Sequence, residues 1–242
     1  RVPQQIGAGC EPSHPLLQSL DQSIELAARL EGRIEQYDSA PLPGRLDSTS
    51  TLVLAFGQGE AIRSGALLDE LRGAFPQAVI VGCSSAGDVA HGQIVDDPLS
   101  VVVARFERTS LSWAATAIAG VGDSLQAGIR LAGQLPADGL RAVLVYASGV
   151  AGNGAALVAG MTEALPVGTP ISGGLAGDGS RFERTWVVGD TAVIEHGVTA
   201  VGLYGTALLV GHGCDSGWQD FGPERTITRA EGNVLFELDG KP

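Results

Sequence analysis

The chain has 242 residues, of which 44% are apolar and 17% are charged, so it is long enough to bury a substantial core. Its formal net charge of −12 argues against nucleic acid or an anionic membrane surface as a partner. Lys241 is the one lysine, which nearly excludes a catalytic or phosphate-loop lysine.

Cysteine usage indicates a reducing compartment, and we predict the cytoplasm. Cys10, Cys83 and Cys214 are odd in number and far apart, so they predict neither a disulfide framework nor a metal site. The "GAGC" at residues 7–10 has no apolar run before it, so no signal peptide is predicted. The uncharged stretch 196–214 contains five glycines and fits two strands better than a membrane-spanning helix.

The first fifty residues are expected to form an N-terminal helix and a linker, followed by one main domain over residues 51–242. Apolar residues recur at helical spacing over residues 16–37, which predicts a helix. The following "SAPLPGRLDSTS" contains two prolines and a glycine and is typical of a linker.

Strands and helices then alternate along the chain. "TLVLAF" predicts a buried strand, residues 62–75 an amphipathic helix that ends before Pro76, and "AVIVG" a second buried strand. "LSVVVARF" and "LSWAATAI" predict two further strands before residue 118.

The order begins again with a predicted helix at residues 123–135. "RAVLVYA" predicts a strand, residues 153–165 a helix, and "TPISG" a strand. Four more strands are predicted in "RTWVV", "TAVIEH", "VTAVGLY" and "TALLVGH". We therefore predict an α/β fold in which mixed sheets are flanked by helices.

The two series suggest an internal duplication of about 90 residues, with copies over about 51–120 and 141–216. Helices at 16–37 and 123–135 would precede the copies. "VIVGCSSAGD" at residues 79–88 matches "PISGGLAGD" at residues 170–178, and each ends in Ala-Gly-Asp. We expect a pseudo-two-fold relation that places both turns at equivalent positions. The alternative is that any two βαβ passages look alike.

Small residues after a buried strand allow close approach of the backbone, and the N–H groups of such turns can hold an anion. Ser84, Ser85 and Ser172 add hydroxyl groups. Asp88 and Asp178 could accept hydrogen bonds from an amino group, or they could simply cap their own turns.

A nucleophile is also conceivable where the first turn begins. The segment around Cys83 and Ser84 is similar to a nucleophile elbow but misses the G-x-S-x-G spacing by one residue. No base or third group is marked out, so a small packed residue explains Cys83 better than a catalytic thiol.

Histidine spacing does not predict a zinc site. The four histidines are His14, His91, His196 and His212, and no two share ligand spacing. A single histidine could serve as a haem axial ligand. His196 and His212 rank first because both lie at predicted strand ends.

The motifs "GCSSAGD", "GGLAGD" and "GWQDFGP" leading into "TITRAEGNVLFELDGKP", in this order, resemble the FIST family, named for F-box and intracellular signal transduction proteins. The resemblance covers residues 51–242, and the stop at Pro242 resembles the end of the family's N-terminal domain. The family's usual C-terminal domain would then lie outside this chain.

This resemblance implies a sensory input domain that works with histidine kinases, cyclic-di-GMP enzymes or chemoreceptor modules. Family members are proposed to bind small ligands, among them amino acids, and some are described as haem proteins that sense nitric oxide. It implies no catalytic residues.

We therefore expect a non-catalytic module that binds a small ligand, with an amino acid as one candidate. Arg181 and Arg184 could bind the ligand's carboxylate, and Asp88 and Asp178 its ammonium group. The alternatives are a haem-based nitric oxide sensor, a hydrolase or transferase that uses Cys83 or Ser84, and a scaffold without a ligand.

Overall fold

A computed structural model describes residues 32–37, 42, 44–90, 93–95, 99–211, 222–231 and 234–242. These residues contain four α-helices: α1 (Gly59–Arg63), α2 (Ala66–Ala74), α3 (Ser124–Ala132) and α4 (Gly154–Ala164). They also contain fourteen strands: β1 (Gly32–Tyr37), β2 (Thr51–Gly57), β3 (Val79–Ser84), β4 (Asp88–Ala90), β5 (Gln93–Val95), β6 (Leu99–Phe106), β7 (Ser110–Ala117), β8 (Leu140–Ala147), β9 (Ile171–Leu175), β10 (Val187–Gly189), β11 (Ala192–Ile194), β12 (Gly197–Tyr204), β13 (Ile227–Glu231) and β14 (Val234–Leu238).

The first sheet has six strands in the order β1-β6-β2-β3-β10-β11. Strands β2 and β3 are parallel, and every other neighbouring pair is antiparallel. Helices α1 and α2 connect β2 to β3, and their apolar side chains cover one face of this sheet. Fully buried residues of this layer include Val53, Ile62, Leu71, Phe75 and Ile80.

The second sheet has four strands in the order β7-β12-β8-β9, of which β8 and β9 are parallel. Helices α3 and α4 pack on its outer face over Leu131, Val143 and Met161. The two helices approach closely because each contributes a glycine. A Cβ at Gly128 would overlap the carbonyl of Leu157, and one at Gly160 would overlap that of Leu125.

The two sheets pack on each other through a third apolar layer. It contains Val81, Cys83, Tyr146, Val187 and Val201, all buried. The order of layers is therefore helices, sheet, sheet, helices, which confirms the predicted mixed α/β class.

The same strand order occurs in both sheets. Strands β1-β6-β2-β3 and β7-β12-β8-β9 follow one another with the same relative directions and the same positions in chain order. A hairpin follows the parallel strand in each series, β4–β5 in the first and β10–β11 in the second. A common origin by duplication stays a prediction.

The repeated unit begins earlier than the sequence comparison suggested. Strand β7 lies within the first predicted copy, residues 51–120, but it pairs with β12 of the second sheet over its full length. Each unit therefore starts with the strand that precedes its βαβ passage, β1 in one case and β7 in the other.

The helix predicted over residues 16–37 is wrong at its carboxyl end. Residues 32–37 form β1, which pairs antiparallel with β6 from Gly32↔Phe106 to Tyr37↔Val101. Pairing with an open sheet edge overrides the weak local preference for helix. Residues 16–31 lie outside the described residues.

Helical stretches of the described chain are short. None of them is both long and apolar enough to cross a membrane.

Candidate functional site

The carboxyl ends of the two parallel strand pairs meet at one place, where the two units touch. Phe56 lies near the end of β2, and Tyr146 holds the equivalent place near the end of β8. Their ring centroids are 5.3 Å apart, with an interplanar angle of 71°. Edge-to-face contact of this kind favours a fixed orientation of the two sheets. Loops beyond the carboxyl ends of parallel strands are common places for ligand sites.

The two Ala-Gly-Asp turns lie against each other at this junction. The N–H of Gly177 in the second turn donates to the carbonyl of Ser84 at 2.8 Å. Gly177 also packs on Ala86, because a Cβ added at Gly177 would lie 3.0 Å from the Ala86 nitrogen. The two turns are therefore in direct contact.

One glycine holds the same position in each parallel pair. A Cβ at Gly82 in β3 would overlap the carbonyl oxygen of Ala55, and one at Gly173 in β9 would overlap that of Val145. The φ angles of the two glycines are 159° and 150°. Glycine is needed here because the neighbouring strand comes too close for any side chain.

Ser84 is fully buried and holds the second unit's loop against the first sheet. Its hydroxyl accepts a hydrogen bond from the Trp186 N–H at 3.0 Å, and its own N–H donates to the Trp186 carbonyl at 2.8 Å. Ser85 is half-buried, and its hydroxyl accepts from the N–H of Gly87 at 3.3 Å. The first of these serines thus stabilises the junction itself.

Asp178 caps the loop that follows the second turn. Its carboxylate accepts hydrogen bonds from the N–H groups of Phe182, Glu183 and Arg184 at 2.9, 2.8 and 3.1 Å. The bonds from Glu183 and Arg184 are the main cause that lowers the Asp178 pKa. The side chain is 4% exposed, so most of its capacity as an acceptor is used within the protein.

The two arginines of this loop differ in their surroundings. Arg184 forms a bidentate pair with Glu195, at 2.6 and 3.0 Å, and its guanidinium lies 5.1 Å from the centre of the Trp186 ring. Hydrogen bonding to Arg184 is the main cause that lowers the pKa of Glu195. Arg181 is exposed, and its guanidinium hydrogen bonds to no residue that the structure describes.

Two of the predicted ligand residues contribute no described side chain to the junction. Ser172 is exposed near the start of β9, four residues and about 13 Å of extended strand before Ala176. Asp88 begins β4 directly after the first turn, and its side chain lies outside the described part of the molecule.

Cys83 lies in the apolar layer between the sheets and is 5% exposed. Tyr146 belongs to the same layer, and burial raises its pKa. This position fits the interpretation of Cys83 as a small packed residue.

His196 is exposed in the turn between β11 and β12, and its main-chain carbonyl accepts from the Ile118 N–H at 2.8 Å. His14, His91 and His212 lie outside the described residues. No cluster of three histidine, cysteine or acidic side chains that could hold a metal ion occurs among the residues that the structure does describe.

Sequence reasoning missed Trp186 and Glu195, which fix the position of Arg184. Both lie in segments that were interpreted only as strands. An alternation of charged and aromatic residues in "RFERTW" is the available signal, since arginine often stacks on tryptophan.

The motifs and the fold agree with a comparison against known families. The family model described as the FIST N domain matches residues 51–241, which is most of the chain. A comparison with curated proteins gave no match. The chain therefore belongs to the FIST family, as one of its N domains, and this is a family of sensory modules in signal transduction.

Proposed function

We propose that this module senses a small polar ligand, with a free amino acid as first candidate, at the junction of the two turns. The observation that carries the proposal is the contact between Gly177 and Ser84, because a ligand held beside it touches both units. Binding there would favour one relative position of the two sheets and would so increase the population of that conformation.

Arg181 is the best candidate for the ligand's carboxylate. Its guanidinium is exposed and lies in the same loop as Asp178, whereas Arg184 is already engaged with Glu195. Arginine binds carboxylates through two parallel hydrogen bonds. Asp88, which follows the first turn, is the proposed partner of the ammonium group, because Asp178 already accepts three hydrogen bonds.

The proposal is tested by thermal unfolding in the presence of each of the common amino acids, followed by calorimetric titration of any that stabilises the protein. Arg181→Gln should weaken binding by about 10- to 100-fold, since a charged hydrogen bond contributes about 1.5–3 kcal/mol. Arg63→Gln is the matched control, because Arg63 is an exposed arginine paired with Glu60 on α1.

Gly177→Ala gives a second test of the same site. The added Cβ presses on Ala86, so the two turns must separate by a few tenths of an ångström. We expect weaker binding without loss of the fold. Unchanged affinity in both this variant and Arg181→Gln would mean that the ligand binds elsewhere on the protein. If no amino acid stabilises the protein, amino acids are excluded as its ligands.

Haem binding with nitric oxide sensing stays the second prediction. His196 gives it no support, because the imidazole is exposed on a turn. Single substitution of His196 and of His212, followed by absorption spectroscopy after incubation with haem, would identify the axial ligand by the loss of the Soret band.

We also propose that the signal passes to a histidine kinase, a cyclic-di-GMP enzyme or a chemoreceptor module in the cytoplasm. Support for this comes from the family's sensory role alone. Co-purification with a kinase or cyclase, with and without the ligand found above, tests this step.

A further inference from the structure

The equivalent edges of the two sheets differ in how they are covered. In the first sheet the outer edge of β3 pairs antiparallel with β10, through Val187↔Cys83 and Val188↔Gly82. In the second sheet β9 is the last strand among the residues that the structure describes, and residues 172–175 are exposed. An open strand edge carries main-chain donors and acceptors that can receive another strand.

The main-chain groups of β9 are oriented for such pairing. The Ala176 N–H donates to the carbonyl of Ala147, the last residue of β8. Because successive N–H groups of a strand point to opposite sides, those of Gly173 and Leu175 face away from β8. At the equivalent position of β3, the N–H of Ser84 donates outward to the Trp186 carbonyl.

Hairpin β4–β5 has the same geometry as hairpin β10–β11, which covers β3. In β10–β11, Val187 pairs with Ile194 and Gly189 with Ala192, which leaves two residues in the turn. In β4–β5, Asp88 pairs with Val95 and Ala90 with Gln93, again with two residues between the strands. Both hairpins follow the parallel strand of their unit and precede its antiparallel strand, β6 or β12.

The register of hairpin β4–β5 leaves the main-chain groups of one residue, Val89, pointing away from the hairpin. In a hairpin with a two-residue turn the pairs next to the turn exchange hydrogen bonds, and the next pair does not. The main-chain groups of Val89 therefore point away from β5. Val188 holds the same place in hairpin β10–β11, and it is the residue that pairs with Gly82 of β3.

The first hairpin is also within reach of β9. The carbonyl of Ser84 accepts from Gly177, so both chains start from one point. The four residues from Ser84 to Asp88 span at most about 14 Å, and the three from Gly177 back to Gly174 span at most about 11 Å.

We propose that the open edge of β9 is a docking site for the chain's own hairpin β4–β5, which pairs antiparallel with it in the register Asp88↔Gly174, Val89↔Gly173 and Ala90↔Ser172. Here the hairpin forms a separate two-stranded sheet, so docking gives the module a second arrangement. The inference does not depend on the identity of any ligand. Docking would fix Asp88, which joins the first turn to the hairpin.

Disulfide formation tests the register with four double-cysteine variants in a background where Cys10 and Cys214 are serine. Two pairs match the proposed register, Asp88→Cys with Gly174→Cys and Ala90→Cys with Ser172→Cys. The two crossed pairs are Asp88→Cys with Ser172→Cys and Ala90→Cys with Gly174→Cys. Matched Cα atoms would lie within disulfide range, whereas crossed ones would be about 7–8 Å apart.

The matched pairs should oxidise at least about tenfold faster than the crossed pairs, as followed by peptide mass spectrometry. Val187→Cys with the native Cys83 is the positive control, because these residues are paired in the first sheet. Val89→Pro should slow both matched pairs, since it removes the outward N–H and leaves the hairpin's own hydrogen bonds intact.

Three results would overturn the proposal. Equal oxidation rates for matched and crossed pairs would mean that the cysteines meet by random encounters and not in one register. Failure of all four pairs while the control pair oxidises would mean that the hairpin does not reach β9. Disulfide-linked dimers in place of internal links would mean that a second copy occupies the edge.

Discussion

Strands β3 and β9 hold the same place in their units, but their surroundings differ. Each lies parallel to the strand before it and carries a glycine at the point of closest approach, Gly82 or Gly173. All six residues of β3 are buried, whereas four of the five residues of β9 are exposed. Equivalent backbone positions thus serve as core in one unit and as surface in the other, and β10 covers the edge of β3 whereas no described strand covers that of β9.

The largest expected effect comes from adding a methyl group to the two equivalent glycines. Gly82→Ala should lower the free energy of unfolding by about 3 kcal/mol, because the new Cβ overlaps Ala55 in a strand that is paired on both sides. Gly173→Ala should cost only about 1–2 kcal/mol, because an edge strand can shift away from Val145. Urea denaturation measures both variants.

Gly174→Ala is the control for this pair of variants, since a Cβ there meets open space. Its free energy of unfolding should stay within about 0.5 kcal/mol of the parent. Equal losses at Gly82 and Gly173 would show that β9 is as rigidly held as β3, and the contrast between the two strands would fail.

A smaller effect is expected at the last residue of each strand. Ser84→Ala should lower the free energy of unfolding by about 1–2 kcal/mol, because it leaves the part-buried N–H of Trp186 without its acceptor. Leu175→Ala, at the equivalent position, should cost less than about 1 kcal/mol, since Leu175 is 52% exposed. Thermal and urea unfolding of the two variants provide the comparison, which a larger loss at Leu175 would contradict.

An effect that depends on pH is expected for Asp178→Asn, because asparagine keeps one acceptor oxygen for the loop but turns an NH2 group toward at least one of the three N–H donors. Backbone hydrogen bonds hold the pKa of Asp178 below its ordinary value of 3.8. The stabilisation is therefore complete above that value and is lost as the pH falls through the lowered pKa.

The difference in free energy of unfolding between the parent protein and Asp178→Asn should thus be constant from pH 7 to pH 5 and should shrink below about pH 4. Urea unfolding at several pH values measures it, with Asp138→Asn as an exposed control. A difference that persists unchanged at pH 3 or below would show that the carboxylate charge does not matter for the loop.

The sequence predicted the βαβ passages well because their signals are local. Buried strands such as β2 and β8 are short apolar runs, and the helices after them end before Pro76 and Pro166. It also marked the two turns, because closely packed backbone demands small residues such as Gly82 and Gly173.

The pairing of distant strands could not be predicted in this way. Whether residues 187–189 cover β3 depends on contacts across the chain, and nothing in "WVVG" distinguishes one sheet edge from another. For the same reason β1 was predicted as the end of a helix. At the junction, sequence reasoning singled out Asp178 and Arg184 as candidate ligand residues, but it could not predict the groups that they contact within the protein, since the three N–H groups and Glu195 carry no motif.

The pairing of β3 with β10 also bears on how the chain is made. Cys83 and Val187 are neighbours in the sheet although 104 positions separate them. A ribosome that releases residues in order exposes the apolar β3 edge until residues 187–194 have emerged. The first unit is therefore expected to complete its folding only after most of the second has been synthesised, and a nascent chain stopped between the two would be prone to aggregation.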